Sequence, residues 1–60
     1  MTEHPYITGF AAAVTGTRYV HAYEAWAMRV GREGRSSHNV LLLTNGYADG
    51  RSALEASTDA

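Results

Sequence analysis

The sequence contains no cysteine, no lysine and no apolar run long enough to cross a membrane. Without cysteine the chain can form neither a disulfide nor a thiolate metal site. A membrane-spanning helix needs about 20 successive apolar residues, and the N-terminal stretch MTEHPY has neither the basic nor the apolar region of a secretory signal. We therefore expect a protein of the cytoplasm, or a component of a virus particle assembled there.

The absence of lysine leaves five arginines against six acidic residues, a formal net charge of −1. Proteins that bind nucleic acid usually show a clustered basic excess, and this composition has none. Arginine without lysine, together with ten alanines, is typical of a GC-rich genome. We expect the source to be a high-GC bacterium or one of its phages.

The short length limits what the chain can bury. Its 60 residues form at most one domain, and a chain of that size buries only about 60% of the surface that its unfolded form exposes. Such chains usually need a crosslink, a metal or a partner. The three histidines, His4, His21 and His38, are far apart in sequence and predict no metal site. Of these ways to stabilise a short chain, self-association is the one that remains, so we predict a homodimer or a larger homo-oligomer.

The spacing of apolar residues predicts an all-α fold. At about 100° per residue, one helical stripe comprises Ile7, Phe10 and Val14. A second stripe, which points in a different direction, comprises Tyr19, Tyr23, Trp26 and Val30. The direction changes around Gly16, a poor residue for a helix centre, and Thr17 could cap a fresh helix there. The sequence predicts helix over about residues 6–32, either continuous or broken near Gly16.

The stretch GREGRSS, over residues 31–37, has the glycines and alternating charges of a loop. Its two serines can cap the helix that follows. We predict that this helix covers about residues 37–56, so that the whole chain is a helical hairpin with two main helices that self-associates into a helical bundle.

The segment VLLLTNGYADGR allows three interpretations. In a single helix, straight or kinked, Val40, Leu43, Tyr47 and Leu54 share a narrow arc, and Gly50 takes the remaining position of the pattern, where two helices can approach closely. In a second interpretation Gly46 caps one helix and Ser52 starts another with a capping box. In a third, Asn45-Gly46 turns a strand. We favour the single helix, because no β-branched residue follows the turn before Thr58.

More apolar residues are present than one hairpin can cover. We predict that Tyr19, Tyr23, Trp26 and Leu42 contact a partner, because interface hot spots favour aromatic residues. The chain would then be a small accessory, inhibitor or structural subunit that docks on a larger protein. The alternative is a dimeric nucleic-acid-binding regulator that uses Arg29, Arg32 and Arg35, since arginine suits phosphate oxygens.

No pattern predicts an enzyme, a cofactor or a metal. His21 and Glu24 form an H-x-x-E pair, the reverse of the E-x-x-H order of metal-carboxylate bundles. The stretch from Arg32 to His38 resembles the R-x4-6-H signature of HEPN-type ribonucleases, which pair these residues in a dimer cleft. That resemblance covers only seven residues and places the arginine in a loop. We expect a solvated turn there, without catalysis.

Overall fold

A computed structural model describes residues 3–58, and these residues form three helices and no strand. Helix α1 covers Pro5–Val14, α2 covers Tyr19–Gly34 and α3 covers Ser37–Thr58. The all-α prediction is confirmed. The prediction of two main helices is wrong, because the first predicted helix is divided into α1 and α2. None of the helices is both long enough and apolar enough to cross a membrane, as far as residues 3–58 are concerned.

The break between α1 and α2 lies at Gly16, one of the two predicted alternatives. Gly16 has a φ of 83°, a conformation that side-chain-bearing residues rarely adopt. The hydroxyl of Thr15 donates to the carbonyl of Ala11 at 2.9 Å and so satisfies the end of α1. The predicted cap at Thr17 is wrong: the N-cap residue of α2 is Arg18, which makes no side-chain capping bond.

The predicted loop is shorter than expected. Helical geometry breaks at Gly31, where φ is 72°, but the chain resumes a helical turn as far as Gly34. Only Arg35 and Ser36 separate α2 from α3. The Ser36 hydroxyl oxygen accepts a hydrogen bond from the backbone N–H of Asn39 at 3.2 Å. The predicted serine cap is therefore confirmed.

Helix α3 runs without interruption through both of its glycines. The single-helix interpretation is confirmed, and the capped break and the strand are wrong. Gly46 and Gly50 are buried against α1, and this burial explains how a helix tolerates two residues of poor helix propensity.

Helix α1 packs on α3 through small residues on both sides. A Cβ atom added to Gly50 would lie 2.7 Å from the Phe10 carbonyl oxygen and 2.7 Å from the Ala13 Cβ. A Cβ atom added to Gly9 would lie 2.9 Å from the backbone nitrogen of Tyr47. Since Cβ atoms essentially never come so close to another atom, only glycine allows these two backbones to meet.

Helix α2 returns along the other two helices and closes the core. The buried cluster comprises Trp26, Ala27 and Leu43. Half-buried residues pack around this cluster, namely Tyr19, Tyr23, Val30 and Val40. At one end the Tyr47 hydroxyl donates to the Thr17 carbonyl at 2.7 Å, and at the other Arg29 of α2 reaches Glu3, just before α1. The second predicted stripe is therefore the core-facing side of α2.

Candidate functional site

The first predicted stripe, Ile7, Phe10 and Val14, is left largely uncovered; we call it the α1 stripe. Helix α1 turns Gly9 and Ala13 towards α3, and at about 100° per residue the stripe lies to one side of them. Ile7 is 63% exposed and Val14 is 38% exposed, while Phe10 is half-buried. The described part of the chain thus leaves an apolar surface on α1 without a partner.

Leu42 lies on the side of α3 that Tyr6 of α1 contacts. Leu42 and Asp49 are seven residues apart, so they lie on the same side of α3. Tyr6 of α1 donates a hydrogen bond from its hydroxyl to Asp49 on that side, and the Tyr6 ring lies 6.5 Å from that of Phe10. Leu42 is half-buried. Of the four predicted contact residues, it is the one that lies outside the core cluster and its surrounding residues.

The other three predicted contact residues belong to the core. Trp26 has an exposed fraction of 0% within a single chain. Tyr19 and Tyr23 are half-buried and pack against the core cluster, and the Tyr19 hydroxyl lies 2.7 Å from the Thr44 hydroxyl. The expectation that another polypeptide must cover Trp26 is wrong, because α2 and α3 already enclose it. In this conformation Trp26 offers no surface to a partner.

A second feature is a cleft on the other side of α1, where α1 begins, α2 ends and α3 begins; we call it the terminal cleft. Its volume is about 380 Å³. Its apolar wall comprises Pro5, Trp26 and Val30. The other residues that line it are Glu3, Arg29, Gly34 and Asn39. This volume is at the lower end of the range of small-molecule sites.

An ion pair forms one edge of the terminal cleft. The guanidinium of Arg29 donates two hydrogen bonds to the Glu3 carboxylate, from Nε at 2.9 Å and from Nη2 at 2.6 Å. The Thr8 hydroxyl donates a third at 2.6 Å. The hydrogen bond from Arg29 lowers the pKa of Glu3 from 4.5 to about 2, with a further contribution from Thr8. The three donors together form a site that fits a carboxylate.

Trp26, one of the residues that line the cleft, holds an unusual polar group. Its indole Nε1 is buried and has no hydrogen-bond acceptor among the described residues. An unsatisfied buried donor costs about 1 to 3 kcal/mol. Such groups are uncommon in folded proteins and call for an explanation. Here the group lies in a residue that also lines a cleft.

The basic and histidine-containing candidates do not converge on a site. Of the three arginines in the nucleic-acid alternative, Arg29 is engaged by Glu3, while Arg32 and Arg35 are exposed. His21 and His38 are exposed on different helices. Within residues 3–58 no group of three or more His, Asp or Glu residues could hold a metal ion.

The comparisons with known proteins identify no relative. No protein-family model, curated protein or solved structure matches this chain. The α1 stripe and the terminal cleft are therefore the observations from which a function can be argued.

The sequence predicted neither the terminal cleft nor the approach of α1 to α3 at Gly9 and Gly46. One signal was present for the approach: Gly9 and Ala13 are four residues apart, and so are Gly46 and Gly50. Small residues at that spacing share a helix face and allow two backbones to meet. The Glu3–Arg29 pair has no such signal, because it joins residues that are remote in sequence.

Proposed function

We propose that this chain is a small, non-enzymatic protein-interaction module that pairs with a second copy of itself through the α1 stripe. The observation that carries the proposal is the exposure of Ile7 and Val14 on the helix face next to the glycine contact. Burying apolar side chains of this size stabilises an interface by about 1.5 to 3 kcal/mol each. A 60-residue chain without cysteine has no crosslink to add to its small core.

The α1 stripe suits a symmetric pairing. In a two-fold dimer each stripe covers its counterpart, so a single apolar surface is sufficient for both partners. Leu42 lies on the same side of α3 as Asp49, so a pairing that reaches beyond Tyr6 would extend the contact onto α3. The Tyr6–Asp49 hydrogen bond would lie at its polar edge, as is usual for interfaces with an apolar centre and a polar rim.

Dilution experiments test the pairing. A double variant, Ile7→Gln with Val14→Gln, is compared with the wild type by light scattering and sedimentation. We expect the wild type to dimerise and the double variant to weaken the dimer about 100-fold, which corresponds to about 2.7 kcal/mol. Met28→Gln is the matched control, because Met28 is 86% exposed on the outer face of α2. It should leave the dimer constant unchanged.

Three outcomes would contradict the pairing. A wild-type chain that stays helical and monomeric at every concentration would remove it. A dimer that Met28→Gln weakens, but the α1 double variant does not, would move the interface to α2. A dimer that dissociates as salt rises would point to charged contacts in place of apolar ones.

The homo-oligomer would dock on a larger protein through the outer face of α2. Val20, Glu24 and Met28 follow one another at a spacing of four, and the two apolar members are exposed. A photo-crosslinking residue at position 28 should give a mixed adduct in cells, whereas one at position 14 should give the homodimer. Homodimer adducts from both positions would contradict the separation of the two surfaces.

A further inference from the structure

We propose that the terminal cleft binds a small apolar carboxylate, whose charged group takes the place of Glu3 on Arg29 and Thr8. Its apolar body would lie against Pro5 and Val30, next to the buried Trp26 indole. This site is separate from the α1 stripe, because Pro5 and the stripe lie on opposite sides of α1. The proposal therefore does not depend on the dimer.

The charged end of the ligand follows from the donors around Glu3. Arg29 presents two parallel N–H groups and Thr8 one hydroxyl, and all three converge on one carboxylate. A planar guanidinium fork recognises a carboxylate in this two-pronged way. Glu3 precedes α1 and is one of the residues that line the cleft. A carboxylate of similar geometry from outside the chain can use the same three donors.

The apolar end follows from the wall of the cleft. Proline, valine and an indole line it, and a cleft of about 380 Å³ is large enough for a single ring or a branched aliphatic group.

Glu3 acts in this proposal as an internal competitor. While its carboxylate holds Arg29, an external carboxylate must displace it, so the apparent affinity is lowered by the fraction of chains in which the donors are free. Removing the Glu3 carboxylate should therefore strengthen binding. A purely structural ion pair predicts the reverse, or no effect at all.

The experiment uses the one tryptophan of the chain as a reporter. The indole N–H of Trp26 gives a single NMR cross-peak, which is followed while phenylacetate is added to the full chain. Phenylacetamide, the neutral analogue, and acetate, which lacks the ring, are the comparison ligands. We expect a saturable shift with phenylacetate and none with the other two at equal concentration. An equal response to phenylacetamide would overturn the carboxylate assignment.

Variants separate binding from folding. Glu3→Ala should tighten phenylacetate binding by about tenfold, while Glu24→Ala, which removes the same charge elsewhere, should not. Arg29→Gln should abolish the response, while Arg32→Gln should retain it. Helicity by circular dichroism identifies any variant that fails to fold. If Arg29→Gln fails to fold, the proposal is still tested by Thr8→Val, which removes one of the three donors to the carboxylate, and by Glu3→Ala. Unchanged or weaker binding by folded Glu3→Ala would overturn the proposal.

Discussion

The backbone of Tyr6 lies directly against Gly46, and no other residue at position 46 would leave room for it. A Cβ atom at Gly46 would overlap the Tyr6 carbonyl oxygen and would lie 2.8 Å from its carbonyl carbon. Both obstacles are backbone atoms, which cannot rotate out of the way as a side chain can. This contact fixes the distance between α1 and α3 and also determines which residues of α1 remain exposed.

Gly46→Ala should therefore destabilise the fold, although alanine is the better helix former. The gain in helix propensity is about 1 kcal/mol, whereas overpacking a close contact costs about 1 to 3 kcal/mol and more where backbone must move. We expect a net loss of about 2 kcal/mol and a melting temperature lower by about 10 °C. Thermal unfolding followed by circular dichroism measures both.

The neighbouring position provides the matched control. Asn45 is exposed on α3, so Asn45→Ala should be neutral or should raise the stability by a few tenths of a kcal/mol, about the difference in helix propensity. A Gly46→Ala variant as stable as Asn45→Ala would show that α1 does not pack closely on α3.

The sequence was sufficient to predict the helices but not the direction in which α1 faces. Apolar periodicity identified the core side of α2 correctly, since Tyr19, Tyr23, Trp26 and Val30 all pack on the core cluster. The same reasoning gives the apolar stripe of α1 as its buried side. The structure buries Gly9 and Ala13 instead, because backbone approach and not side-chain size decides that contact. Hydropathy has no signal for a contact made by glycine.

The terminal cleft was harder to predict, because it depends on residues that are distant in the sequence. Arg29 lies 26 residues from Glu3 in the sequence, and only the return of α2 past the start of α1 brings them together. Trp26 was chosen as a contact residue for its size, a property that suits a core equally well. A partner surface requires exposure, and the exposure of a side chain is a property of the fold.

Trp26→Ala should unfold most of the chain. Truncating a fully buried tryptophan costs about 3 to 5 kcal/mol, a large share of the stability expected for a domain of this size, about 3 to 9 kcal/mol. Met28→Ala, two residues along the same helix but almost fully exposed, should change the stability by less than about 0.5 kcal/mol. Urea unfolding measures both. Similar losses from the two variants would mean that the helix faces are assigned incorrectly.

Tyr47→Phe should weaken the attachment of the α1–α2 turn to α3. The variant loses the 2.7 Å hydrogen bond to the Thr17 carbonyl, at a cost of about 0.5 to 1.5 kcal/mol. It keeps the edge-on ring contact with Tyr19, at 5.3 Å between centroids. Tyr23→Phe is the control, because the Tyr23 hydroxyl makes no hydrogen bond within residues 3–58. Equal stability of the two variants in urea would argue against the Thr17 contact.

The Glu3–Arg29 pair should make the stability fall in acid over a defined range. The pKa of Glu3 is lowered from 4.5 to about 2 in the folded chain, so the folded state binds the proton less tightly than the unfolded state. The stabilisation by the ion pair is complete above the Glu3 pKa of the unfolded state. It is lost as the pH falls through the Glu3 pKa of the folded state, that is, from 4.5 towards about 2. Because the Arg29 side chain is 52% exposed, we expect less than about 1 kcal/mol, and less still in high salt.

Glu3→Gln isolates this contribution. The difference in unfolding free energy between wild type and Glu3→Gln should be constant near neutral pH and should shrink as the pH falls below 4.5. Glu24→Gln, which removes a carboxylate that contacts no arginine within residues 3–58, should follow the wild type in that range. A difference that grows in acid has the wrong sign for a carboxylate with a lowered pKa. It would mean that Glu3 is not paired with Arg29 in solution, and Arg29 would then be free to bind an external carboxylate without competition.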